Sequence, residues 1–125
     1  MTNKHLSIEK EYLSNIKKID ERLKDLREIK TSLEEHEKNI HDTFVTIKNE
    51  LDITQSEYIK YGAVDDLKEI NSMLDILVSD YQQAKADVGK QLDKVEDEEK
   101  STFRIKDQIE ESYKQEIEKL HKVGE

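Results

Sequence analysis

The sequence has no cysteine, no proline and no tryptophan, and only three glycines and two phenylalanines among its 125 residues. Without cysteine there is no disulfide framework, thiol nucleophile or zinc–thiolate site. With proline absent and glycine confined to Gly62, Gly89 and Gly124, a loop-rich domain would lack its turn residues. Apolar residues make up 34% of the chain against 41% charged, too little for a thick globular core but enough for a narrow seam. Apolar runs such as Ile76-Leu77-Val78 fall far short of the ~20 residues that span a bilayer. The start, Met1-Thr2-Asn3-Lys4-His5, lacks the apolar stretch of a secretory signal. A cytoplasmic location is expected, with co-secretion by a route that needs no cleavable signal peptide left open.

Positive charge is also in deficit. The net charge is −9, and it is uneven. Residues 1–61 carry 11 basic and 13 acidic groups, whereas residues 62–125 carry 10 and 17. Affinity for nucleic acid comes largely from neutralising phosphates, so a surplus of carboxylates argues against it, as it does against anionic membrane surfaces. The most basic stretch, Lys17 to Lys30, is interleaved with acidic residues.

What the chain does have is a 3-4-3-4 spacing of apolar residues that runs, turns over once and runs back. The first track reads Tyr12, Ile16, Ile19, Leu23, Leu26, Leu33, Ile40, Phe44, Ile47 and Leu51, with Lys30 and Glu37 as polar interruptions. After Gly62 a second track reads Leu67, Ile70, Leu74, Leu77, Tyr81, Ala84 and Val88. Steps of this kind place one seam on each of two helices. The fold class is therefore all-α, a long antiparallel two-helix hairpin with coiled-coil-like packing and one domain over 1–125. Helix one is expected over about residues 3–59, the turn at about 60–65 and helix two at about 66–122.

Asn3 is read as an N-cap, and Asp66 with Glu69 three residues on as a capping box opening helix two. Gly62 suits a left-handed C-cap. Folding at Gly62 makes partners sum to about 124, so Tyr12 meets Tyr113, Phe44 meets Tyr81, and Leu51 meets Met73 or Leu74. Arms of this length would extend roughly 80 Å. The second track stutters at Val88, Leu92 and Val95, next to Gly89, and then presents Glu96-Asp97-Glu98-Glu99-Lys100 opposite Leu26. Local underwinding or a mobile stretch is expected there.

Several apolar residues fall off the seam. Ile53, Ile59, Ile76 and Val78 lie near the turn, and Ile105 lies further along helix two. They would widen the apolar face beyond what two helices cover, so further helices of a partner, from the same or another protein, are expected.

Chemistry is poorly represented. His36 and His41 are five apart and diverge by roughly 140° on a helix, so they do not make the paired-histidine zinc motif. His5 and His121 come together at the open end, where they have no evident role. No apolar pocket sets one carboxyl pKa against another, no serine has a base constellation, and no glycine-rich loop cradles phosphate. No catalytic residue, cofactor or metal is expected, and the chain is read as not an enzyme. One short pattern remains. Phe103-Arg104-Ile105-Lys106-Asp107 puts an aromatic and an acid one turn apart on a helix. The plainer reading is Phe103 in the seam and Asp107 as a solvated charge.

Taken together, the chain resembles the LXG-associated alpha-helical partner proteins of Gram-positive type VII secretion, within the wider WXG/Esx-like helical hairpins. The architecture carries the resemblance over the whole chain, and Phe103, Asp107 and the Gly62 turn carry it locally. The resemblance implies a non-enzymatic targeting factor, chaperone-like, that binds the helical N-terminal domain of an LXG toxin and promotes its export. It also implies that Phe103 and Asp107 act as an export motif, and that a second small helical protein can join the complex. The residues themselves leave two other readings open, a self-associating coiled-coil scaffold or spacer and a toxin immunity protein.

Overall fold

The computed structural model describes residues 3–123. Two α-helices of 59 residues each, α1 (Asn3–Tyr61) and α2 (Val64–Lys122), pack against one another, and no strand occurs among the described residues. The molecule is an all-α helical hairpin. Its contacts group into two compact units, one of Met1–Lys30 with Lys94–Glu125 and one of Thr31–Asp93. We call them the open-end unit and the turn unit.

In the turn unit the chain reverses through two residues. Gly62 takes φ 66°, a left-handed conformation that costs glycine little. The Ala63 amide donates to the Tyr58 carbonyl at 3.0 Å and the Gly62 amide to the Ile59 carbonyl at 3.3 Å, the paired bonds of a Schellman cap. The Ala63 carbonyl then accepts from the Leu67 amide at 2.9 Å, so α2 is already running. The expected start at Asp66 is therefore two residues late. Asp66 lies inside the first turn with Asp65, and Ala63, not Asp66, stands at the cap. The two carboxylates still stabilise the end, because the helix dipole favours negative charge there. The expected capping box is replaced by that dipole effect.

Register follows the seam. Phe44 and Tyr81 stack with centroids 4.1 Å apart, and Gln55 donates to Asn71 across the pair at 2.7 Å. Ile70 and Val88 are buried, and Leu74 is half-buried while Met73 is exposed, so of the two partners expected for Leu51 it is Leu74 that turns inward.

In the open-end unit Tyr12 and Tyr113 stack at 4.1 Å, as their positions predict. Here the seam of α2 is partly polar, with Glu99, Thr102 and Lys106 at inward positions. α2 is helical without a break through 96–100, and Leu26, at 1% exposure, is the most deeply buried side chain of the described residues. The reason is local satisfaction of the polar groups. The Thr102 hydroxyl donates to the Glu98 carbonyl at 2.7 Å, leaving its methyl as an apolar surface in the seam. Lys30, a polar interruption of α1, lies 3.7 Å from Glu96 and 3.9 Å from Glu99. The stems of such long side chains cover apolar neighbours while their charged ends stay wet.

Candidate protein-binding groove

A two-helix seam buries only a strip on each helix, so its flanks stay open unless something else covers them. In the turn unit one flank forms an apolar groove of about 320 Å³. Ile40, Phe44, Ile47, Leu77 and Tyr81 make its apolar surface, and His36, Asn39, Thr43 and Asp80 stand around it. The stacked Phe44 and Tyr81 rings hold the floor in place. The Tyr81 hydroxyl shares a hydrogen bond with His41 Nδ1 at 3.0 Å, which satisfies the one polar atom of that floor.

The apolar residues picked out near the turn do not make one patch. Ile53, Ile59 and Ile76 are exposed at 63%, 62% and 61%, but Val78 is half-buried against the hairpin and is not a free contact residue. Proximity in number conceals the phase: Ile76 and Val78 are two residues apart, about 200° of rotation, and so face opposite ways. Ile53 and Ile59 diverge by about 120°. Ile76 lies one turn before Asp80, and Ile53 two heptads after Asn39, which places both on the groove's side. Ile59 belongs to the other side. Met73, one heptad before Asp80 and exposed, extends the groove's side although its number placed it in the seam. Counting heptads from the lining residues finds it; counting apolar residues does not.

In the open-end unit Phe103 is 48% exposed and lies beside the seam, because Thr102 and Lys106 take the inward positions. The plainer expectation of Phe103 as a seam residue is corrected on this ground. Asp107 is exposed one turn further on, so the two share a free face. Ile105, also exposed, projects on the opposite flank from Phe103 and lines a more polar groove of about 370 Å³ with Ile8, Tyr12, Ile109 and Tyr113. Ile105 and the near-turn isoleucines belong to different units.

Ion pairs cross the open-end unit from Arg22 to Glu98 and from Lys106 to Asp20, the latter at 2.9 Å. The hydrogen bond from Lys106 to the Asp20 carboxylate, with the attraction of that charge and of Glu110, holds the ammonium pKa above its ordinary value. Among the described residues no group of three or more His, Asp or Glu side chains is placed to hold a metal ion, and no helix is long and apolar enough to cross a membrane. Compared with protein-family models, with curated proteins and with solved structures, the chain finds no significant match.

Proposed function

We propose that this chain is a non-enzymatic adaptor that binds a helix of another protein in the turn-unit groove. The observation that carries the reading is the open apolar floor of Ile40, Phe44, Ile47, Leu77 and Tyr81, with exposed Ile53, Met73 and Ile76 extending its side. A third helix laid in a groove between two others is the ordinary way to cover such a surface, with its apolar face spaced at i, i+3, i+4 and i+7. Each 100 Å² of apolar surface covered contributes about 2.5 kcal/mol before the cost of association.

The resemblance to LXG-associated partner proteins supplies the identity of the helix, that of the helical N-terminal domain of an LXG toxin. On this reading the chain is a targeting factor for type VII secretion, and exposed Phe103 with Asp107 supplies the export feature. The test is to purify the chain with the helical leader domain of an LXG toxin encoded beside it. A stable complex is expected, weakened by about tenfold or more in Ile76→Asp, a change at an exposed position that leaves helicity intact. Independent elution of the two proteins at micromolar concentration would refute the proposal.

A further inference from the structure

The charges nearest the groove are acidic. In an antiparallel helix pair the flanking positions of one helix lie beside the equivalent flanking positions of the other, and His36, Thr43 and Asp80 mark that side here. Moving by heptads from these residues, and from Asn39 and Ile76, shows what else stands on it. α1 adds Glu50 and Glu57, and α2 adds Asp66, Glu69 and Asp87 to Asp80. All six acids are exposed. Between His36 and Glu57, and between Asp66 and Asp87, no Lys or Arg falls on this side; Lys60 and Lys90, just beyond, are the first that do. The lysines of the same stretch, Lys38, Lys48, Lys68 and Lys85, all fall on the other side, where Lys48 pairs with Asp52 at 2.8 Å.

We infer that the occupant of the turn-unit groove is a basic amphipathic helix, one whose apolar stripe is bordered by Lys or Arg. The inference rests on the helix-docking reading above and specifies its partner. An apolar floor selects an apolar stripe, and an acidic border lowers the energy of a basic flank while penalising an acidic one. The same border disfavours a second copy of this chain on a twofold axis, because that arrangement sets acid against acid. The apolar floor from Ile40 to Ile47 matches about two turns of helix, so the recognised segment is at least about eight residues.

Fluorescence anisotropy with the full chain tests it. The probes are three labelled synthetic peptides of about 18 residues. The first has a Leu/Ile stripe flanked by Lys, the second the same stripe flanked by Glu, and the third the first peptide's composition scrambled so that no stripe remains. The Lys-flanked helix is expected to bind at least about tenfold tighter than the Glu-flanked one at low salt, the gap narrowing as the Debye length shrinks. The scrambled peptide should not bind. Glu50→Lys with Asp80→Lys, both at exposed positions, should invert the preference with the circular dichroism spectrum unchanged.

Equal binding of the two striped peptides would overturn the charge inference and leave helix docking standing. Binding of neither would overturn both. Binding of the scrambled peptide as well as the striped one would reduce the surface to unspecific attraction and overturn the inference. So would a dimer seen by sedimentation and dispersed by Ile76→Asp, which would make a second copy the occupant.

Discussion

Phe44 and Tyr81 stack face to face, with centroids 4.1 Å apart and planes 11° from parallel, and His41 bonds the Tyr81 hydroxyl from the turn before Phe44. The pair ties the two helices of the turn unit together at the floor of the groove. Stacked rings interact beyond the area they bury, by about 1 kcal/mol. A double-mutant cycle of Phe44→Leu and Tyr81→Leu, read by urea denaturation, should therefore show a coupling energy of about that size. Strict additivity would mean that the rings merely fill space.

Leu26 makes the strongest stability prediction. At 1% exposure it is enclosed by a partner helix whose inward residues are partly polar. Polar neighbours are tied to their own hydrogen bonds and repack poorly, so a void at Leu26 should stay open. Leu26→Ala should cost about 3 kcal/mol in the denaturation free energy. A cost under about 1 kcal/mol would show that the seam closes on the gap.

The two described glycines should respond in opposite directions. A Cβ would meet nothing within 4 Å at either position, but Gly62 has φ 66° and Gly89 is helical. Gly62→Ala strains the left-handed cap and should destabilise by about 1 kcal/mol. Gly89→Ala restores helix propensity and should stabilise by about 0.5–1 kcal/mol. Thermal melts of both variants check the signs.

Alkaline pH isolates the Lys106–Asp20 pair. The folded-state pKa of Lys106 is raised, by the Asp20 hydrogen bond first of all. Its contribution is therefore fully present below the unfolded pKa of about 10.4 and is lost as pH climbs through the higher folded value. The difference in urea midpoint between the natural chain and Lys106→Met should hold steady below about pH 10 and shrink as pH rises past the unfolded pKa of about 10.4. A constant difference would assign the effect to packing of the Lys106 stem.

These residues also show what was readable in the sequence. Period and one breaker give the hairpin: Tyr12 against Tyr113 and Phe44 against Tyr81 follow from folding at Gly62. The details that failed depend on interactions that period does not encode. The start of α2 is set by how few residues a Schellman cap needs, and nothing in Asp66 reveals that. Val78 reads as surplus apolar surface until its phase relative to Ile76 is counted. The acidic stretch opposite Leu26 looks like a weak point because the Thr102 hydroxyl bond and the Lys30 pairs are invisible in a string of letters. The groove itself was half legible. Its floor is the seam, but its open side appears only when flanking positions are assigned to one side or the other.

Phe103 and Asp107 give the last prediction, on the proposed export role. Phe103 is half exposed beside a seam position filled by Thr102, and Asp107 is exposed one turn on. Neither sits in the seam, so truncating either should leave helicity intact and cost little thermal stability. If the pair is read by a secretion component, Phe103→Ala and Asp107→Ala should each lower export of the bound toxin by about tenfold, the loss that about 1.4 kcal/mol of binding produces. The leader-domain complex should survive both changes, because the proposed docking surface belongs to the other unit. Immunoblots of culture medium and cell fractions, paired with co-purification, separate the cases. Normal export by both variants would remove the motif and leave the adaptor, whereas loss of the complex itself would place Phe103 in the leader-binding surface.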